Sequence, residues 1–179
     1  KKAAKFLLGA AGTALAAGAG VVLARAALYR PGPELRADPD EVSVDYDRVV
    51  ESLSEMIRIR TVSNADASKE DAAEFERFRA YLTERYPTLA GKCAPERIGR
   101  CGVLYTWRGA SSEKPTVLMA HYDVVPADGE GWTEPPFSGA VKEGIIWGRG
   151  ALDTKVTLCS IMEAAEQLIK EGFVPENDI

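Results

Sequence analysis

The stretch Gly144–Gly172, GIIWGRGALDTKVTLCSIMEAAEQLIKEG, joins the two patterns that decide the fold class. It begins with a short apolar run of the kind found in β-strands, and Gly148 and Gly150 then interrupt this run. From Asp153 onward the apolar residues recur at helical spacing, which predicts a helix with an aspartate N-cap and a glycine C-cap at Gly172. A strand followed by a helix with one apolar face indicates an α/β or α+β layer fold.

Two amphipathic helices are predicted upstream of this stretch. Apolar residues recur at helical spacing from about Tyr46 to Ile57 and again over residues 70–86, and Pro87 ends the second pattern. Before Tyr46, residues 30–45 contain three prolines among alternating charges, which is typical of a linker or an extended arm. The predicted folded body therefore spans residues 46–179.

The only histidine of the chain lies at the end of a predicted strand. The β-rich runs cover residues 103–109, 116–125 and 144–148. Val117–Ala120, in the second run, is nearly continuously apolar, which is typical of a strand buried on both faces. His121 and Asp123 follow it at the C-terminal end, where ligand sites of open α/β sheets gather, and in extended backbone their side chains point the same way.

The sequence allows both a metal-binding and a purely structural role for His121, Asp123 and Asp153. A carboxylate beside an imidazole orients a metal-bound histidine, but His121 and Asp123 also fit a hydrogen-bonded structural pair. Asp153 fits a carboxylate that bridges two divalent ions, and it equally fits a simple helix cap. Arg149 and Lys155 are expected to be solvated charges at the surface.

The first thirty residues differ in charge from the rest of the chain. They hold five basic and no acidic residues, whereas the remainder holds 17 basic and 27 acidic residues and a formal charge of −10. An acidic body argues against a nucleic-acid partner and is compatible with cation binding.

The segment Phe6–Ala24 is uncharged and flanked by basic residues. As a helix it would span about 28 Å, close to the hydrocarbon thickness of a bilayer, which favours a membrane anchor within residues 1–29. A cleaved signal peptide with an exit site at Ala17–Ala19 and a soluble Ala/Gly helix remain alternatives. The body is expected outside the cytoplasm, anchored or, after cleavage, secreted; the flanking charges leave the orientation open.

The three cysteines do not show zinc-binding spacing. Cys93 and Cys101 flank a short loop and could form a disulfide in an oxidising compartment. Cys159 falls on the apolar face of the last predicted helix and is expected to be a small buried hydrophobic residue.

Two motifs resemble those of a known enzyme family. HYDVVPADGEGWTEPPFSG from His121 and GIIWGRGALDTK from Gly144 resemble, in order and spacing, the dinuclear zinc hydrolases that include carboxypeptidase S, aminoacylase, glutamate carboxypeptidase and succinyl-diaminopimelate desuccinylase. The similarity is greatest to the carboxypeptidase S and N-fatty-acyl-amino-acid hydrolase branch. It is dense from Leu118 to Lys155 and extends faintly back to IRIRTVS and forward to EAAEQLIKEGFVP.

The resemblance implies a fold and a role for each matched residue. The fold would be the N-terminal part of an α/β zinc-peptidase catalytic domain, with a central mixed sheet flanked by helices. His121 and Asp153 match metal ligands of a site with two zinc ions, and Asp153 matches the one that bridges both. Asp123 matches the catalytic aspartate that supports the histidine, and the peptide bond between Asp153 and Thr154 is expected to be cis.

The resemblance also implies an enzymatic activity and further residues that this activity requires. Family members hydrolyse an amide bond, here in a peptide or an N-acyl amino acid with a free carboxylate, by means of a zinc-activated water. Their general base, further metal ligands and lid or dimerisation domain are expected beyond Ile179, so this part alone is expected to be inactive and any homodimer to form through the lid. The alternatives are a membrane-tethered, non-catalytic binding protein with a degenerate fold and a fragment without a stable fold.

Overall fold

The computed structural model describes residues 2–32 and 43–179, with side chains from Leu15 onward in the first range. The chain divides into two compact units, Lys1–Ser43 and Val44–Ile179. In the first unit, helix α1 spans Lys2–Leu28. No helix in the described part of the chain is both long and apolar enough to cross a membrane. The predicted N-terminal membrane helix is thus not supported, and most of the predicted linker over 30–45 lies outside the described residues.

The second unit contains four α-helices. They are α2 (Tyr46–Arg58), α3 (Ala72–Arg85), α4 (Pro87–Cys93) and α5 (Val156–Lys170). Helices α2 and α3 confirm the two amphipathic helices expected from apolar spacing. Asp45 and Asp71 cap them, because each carboxylate accepts a hydrogen bond from a backbone N–H of the first turn. Pro87 was expected only to end a helix, but it also occupies the first turn of α4, where its missing N–H costs nothing.

The helices share one apolar core. All four helices contribute buried side chains to it, and the most deeply buried are Met56, Ile57, Phe78, Leu82 and Cys159, together with Tyr86 between α3 and α4. The ring of Phe78 stacks on that of Tyr122, with centroids 4.6 Å apart. Complete burial of a side chain of this size contributes about 1.5–3 kcal/mol, so these contacts dominate the stability of the unit.

The strands are short and form two separate antiparallel pairs. Strand β1 (Glu96–Ile98) pairs with β2 (Gly102–Leu104), and β3 (Ala140–Lys142) pairs with β4 (Ile145–Trp147). Strands β2 and β4 lie within two of the predicted β-rich runs. The α/β class is confirmed, whereas the described residues do not form the expected central mixed sheet.

The predicted buried strand at Val117–Ala120 is the largest difference from expectation. Val117 and Met119 are 73% and 81% exposed. Thr116 and Val124 form backbone hydrogen bonds with residues elsewhere in the chain, but the residues between them form no backbone–backbone hydrogen bond with other described residues. A strand buried on both faces needs a neighbouring strand along its edges, and this segment has no such neighbour within the described part of the protein.

All three cysteines are free thiols, so the possible disulfide between Cys93 and Cys101 is not formed in this structure. Cys93 is buried in the helical core, whereas Cys101 lies at the β1–β2 connection, where its backbone carbonyl accepts a hydrogen bond from the Tyr122 hydroxyl. Cys159 is buried on α5, as its apolar spacing predicted.

Candidate metal centre

The loop between β4 and α5 carries Asp153. Gly150 has φ = +82°, and a Cβ atom at this position would lie 2.5 Å from Cγ1 of Val124. Glycine is required here because both the left-handed backbone and the close approach exclude a side chain. The peptide bond between Asp153 and Thr154 is cis, as the family resemblance implied. Helix α5 begins only at Val156, so the prediction that Asp153 is its N-cap is wrong.

The fold brings together the three residues singled out in the sequence. Nε2 of His121 lies 3.1 Å from Oδ1 of Asp153, although 32 positions separate the two residues. On the other side of the ring, Nδ1 lies 3.0 Å from the backbone oxygen and 3.3 Å from the carboxylate of Asp123. The side chains of His121 and Asp153 are 52% and 89% exposed, so the pair is open to solvent.

The donor set of this cluster fits a cation. Both ring nitrogens of His121 face oxygen atoms, yet a neutral imidazole carries only one N–H. The arrangement therefore needs a second proton or a cation between Nε2 and the Asp153 carboxylate. Partial burial lowers the pKa of His121, but the contacts with Asp123 and Asp153 outweigh it and hold this pKa above its ordinary value. Imidazole nitrogen and carboxylate oxygen are also ligands that zinc prefers.

The cluster supplies only part of a metal site. Among residues 15–32 and 43–179, no group of three or more His, Cys, Asp or Glu side chains is arranged to hold a metal ion. His121 and Asp153 offer one nitrogen and one carboxylate, and Asp123 faces the opposite ring nitrogen. A catalytic zinc ion normally has three protein ligands and a water, so these two residues alone leave it undercoordinated.

A buried segment after α2 holds the histidine-bearing backbone in place. Thr61 is completely buried, and its hydroxyl donates a hydrogen bond of 2.5 Å to the backbone oxygen of Tyr122. The backbone N–H of Val124 donates to the oxygen of Thr61, and that of Ser63 donates to the oxygen of Val124. The backbone on both sides of Asp123 is thereby fixed. Nothing in the sequence marks Thr61 for this role.

The position of Lys155 also differs from the one that the sequence predicts. It was expected to be solvated, but it is completely buried, and its ammonium group donates hydrogen bonds of 2.7 and 2.8 Å to the backbone oxygens of Met56 and Ile59. The ammonium nitrogen also lies 5.1 Å from the centroid of the Phe78 ring. Burial lowers the pKa of Lys155 to about 7. Its position four residues before the buried Cys159 was the available signal, because this spacing places it on the apolar face.

Arg149 also differs from the expected solvated charge. Its guanidinium carbon lies 5.0 Å from the centroid of the Trp132 ring, and its backbone N–H donates a hydrogen bond to the oxygen of Pro136. These two contacts connect the loop before Asp153 with residues 131–139, which carry the GW…PPFSG motif.

Comparison with known proteins places these features in a family. Residues 117–179 match the model of peptidase family M20/M25/M40. Carboxypeptidase S of Saccharomyces cerevisiae is 36% identical over 73% of this chain and 24% of its own length. The human N-fatty-acyl-amino acid synthase/hydrolase PM20D1 is 36% identical over 82% of this chain and 30% of its own length. The crystal structure of human carnosine dipeptidase 1 aligns with a TM-score of 0.48 and 25% identity over 74% of this chain and 30% of that one.

The chain thus spans less than a third of the length of these two curated relatives. The matched family region begins at Val117 and contains His121, Asp123 and Asp153. The resemblance seen in the HYDVVP and GRGALDTK motifs is confirmed by both the family model and the relatives. Residues 117–179 therefore match peptidase family M20/M25/M40, and relatives that are 36% identical extend the similarity over most of the chain.

Proposed function

We propose that the protein containing this chain is a zinc-dependent hydrolase of amide bonds in peptides or N-acyl amino acids. The observation that carries this proposal is the approach of His121 Nε2 to the Asp153 carboxylate, with the opposite ring nitrogen already facing Asp123. That arrangement leaves Nε2 and a carboxylate oxygen converging on one point, which suits a shared cation.

The residues of this chain have distinct tasks in the proposed reaction. Asp123 faces Nδ1 of His121, which fixes the orientation and the tautomer of the ring and leaves Nε2 available as a ligand. His121 and Asp153 would hold the metal from two sides. A bound zinc ion supplies Lewis acidity, which polarises an amide carbonyl and lowers the pKa of water. The general base and the remaining ligands would come from outside residues 1–179, and residues 1–179 alone would be inactive.

The substrate class is proposed from the relatives. The names of these relatives describe a carboxypeptidase and an enzyme that acts on N-fatty-acyl amino acids. Both substrates have an amide bond next to a free amino-acid carboxylate. We therefore infer a substrate of this kind and leave the acyl group or the preceding residue open.

The experiment is an assay of the complete gene product for release of amino acids from peptides and N-acyl amino acids. Activity is expected to disappear with a chelator and to return with Zn²⁺. Asp153→Asn and His121→Ala are each expected to reduce kcat/KM by at least about 100-fold, whereas Asp47→Asn, at an exposed residue in the first turn of α2, is the matched control. Activity that survives the chelator would overturn the zinc mechanism, and a folded protein without activity that still binds substrate would favour the non-catalytic alternative.

A further inference from the structure

Two buried polar side chains connect the metal-ligand candidates to one short segment, Ile59–Thr61. The hydroxyl of Thr61 donates to the backbone oxygen of Tyr122, directly beside His121. The ammonium group of Lys155 donates to the backbone oxygen of Ile59 and lies two residues after Asp153. The same three residues therefore contact both segments that bear the candidate ligands.

The contrast in burial shows where the geometry of the site is determined. His121 and Asp153 are largely exposed, and few contacts restrain their side chains. Thr61 and Lys155 are completely buried, and each spans a gap between two separate parts of the backbone. A buried hydroxyl or ammonium group that loses its acceptor leaves unsatisfied polar atoms behind, so these bonds define one arrangement rather than several.

The segment that bears His121 and the loop that bears Asp153 also contact each other directly. Cγ1 of Val124 lies 2.5 Å from the position that a Cβ atom of Gly150 would take, so the loop that carries Asp153 rests on the segment that carries His121. The backbone N–H of Lys155 donates to the oxygen of Gly150, which ties the buried lysine to this point of contact.

We propose that Thr61 and Lys155 are positioning residues that set the distance between His121 and Asp153 through their common attachment to Ile59–Thr61. Neither residue touches the metal or the substrate in this proposal. It rests on the proposed function for its purpose, but the positioning itself is a property of the metal-free chain.

The first test measures the metal-free chain by NMR. Because the chain has a single histidine, the ¹⁵N resonances of its imidazole report the surroundings of His121 without assignment ambiguity. Asp153→Asn is expected to shift the Nε2 resonance, and this shift is the reference for loss of the contact between His121 and the Asp153 carboxylate. Thr61→Val and Lys155→Met are expected to shift it in the same direction, whereas Thr61→Ser and Lys155→Arg, which keep the donor, are expected to retain the wild-type resonance.

The pair of Thr61 variants separates positioning from packing. Valine keeps the shape of threonine and loses the donor, whereas serine keeps the donor and loses the methyl group. A packing role predicts that serine is the more harmful change, and the positioning role predicts the reverse. Ser52→Ala is the control, because it removes another fully buried hydroxyl that binds Glu163 in the helical core. If Lys155→Met fails to fold, the Thr61 pair decides the question.

The second test places the same substitutions in the complete gene product and measures its affinity for Zn²⁺ by competition with a chromophoric chelator. Thr61→Val and Lys155→Met are expected to weaken binding by about 10- to 100-fold, the usual effect of removing a group that orients a metal ligand. Unchanged imidazole resonances in both variants would overturn the positioning proposal. If the chain shows the expected resonance shifts but the complete gene product binds no Zn²⁺, positioning is supported and the proposed metal chemistry is contradicted.

Discussion

The helical core and the segment 116–123 are both rich in apolar residues, yet they have opposite surroundings. In the core, Phe78 and Tyr86 are completely buried between helices. In the segment, Val117 and Met119 are mostly exposed, and their backbone has no backbone hydrogen-bond partner within the described residues. Apolar character alone therefore does not determine burial in this chain.

The difference arises from how each type of element satisfies its backbone. A helix forms its hydrogen bonds internally, so α2, α3 and α5 need only side-chain contacts with one another to bury an apolar face. A strand must find its partners in another strand, which can be distant in sequence. The helical part of the fold is thus specified by local sequence. A strand in the segment 116–123 would depend on a partner strand.

The largest expected effect comes from truncating the centre of the core. Phe78→Ala removes a fully buried ring that stacks on Tyr122 and lies below the ammonium group of Lys155. We expect a loss of about 3–5 kcal/mol in the free energy of unfolding, because such a truncation removes buried surface and leaves a cavity. Urea denaturation followed by circular dichroism measures this loss.

Met119→Ala is the matched control from the exposed segment. We expect a change within about 0.5 kcal/mol, since the side chain has few contacts to lose. Equal losses in the two variants would show that the segment is buried in solution and would contradict the contrast between the two regions.

The same contrast explains how much of the fold the sequence predicts. Helical spacing correctly indicates α2 and α3 and the apolar face of α5, because that periodicity reflects contacts with near neighbours. The apolar run at 117–120 equally indicates a strand, but periodicity contains no information about which strand would pair with it. The start of α4 at Pro87 is missed because proline both ends one helix and begins the next.

The candidate site divides in a similar way. His121, Asp123 and Asp153 are found from residue type and motif spacing, and the structure brings them into contact. Thr61 and Lys155 are missed because their contribution is a hydrogen bond to a backbone oxygen far away in the chain. A backbone oxygen is present at every residue, so its use as a partner leaves no trace in the sequence.

The second expected effect tests the contact between the loop that carries Asp153 and the backbone that follows His121. Gly150→Ala places a methyl group against Val124 and forces alanine into a left-handed conformation. We expect a loss of about 2–4 kcal/mol in stability, of which about 1–3 kcal/mol comes from overpacking and about 1 kcal/mol from the backbone. Thermal unfolding measures this loss.

Gly144→Ala provides the comparison, since Gly144 has φ = +77° but open space around it. Only the backbone cost of about 1 kcal/mol is expected there. If the two alanine variants are equally stable, the loop that carries Asp153 does not rest on Val124, and the site is looser than the structure indicates.

The smallest effect comes from a charged group inside the helical region and depends on pH. Glu166 is almost completely buried, and its carboxylate accepts hydrogen bonds from the backbone N–H groups of Leu89 and Thr88 and pairs with Lys170. Burial raises the pKa of Glu166, but these partners outweigh it and hold the pKa below its ordinary value of 4.5. Because the pKa is lower in the folded state, the carboxylate stabilises the fold above about pH 4.5, and this contribution disappears as the pH falls further.

Glu166→Gln is therefore expected to cost about 1–2 kcal/mol at pH 7, because it replaces charge-assisted hydrogen bonds with weaker ones. The difference from wild type should shrink as the pH falls from about 4.5 through the lowered pKa of the folded protein, because the wild-type carboxylate then also becomes neutral. Urea midpoints measured between pH 3 and 7 test this, with Glu84→Gln as the control at an exposed glutamate of α3. A constant difference across this range would mean that the buried carboxylate stabilises the helical region through its shape and not through its charge.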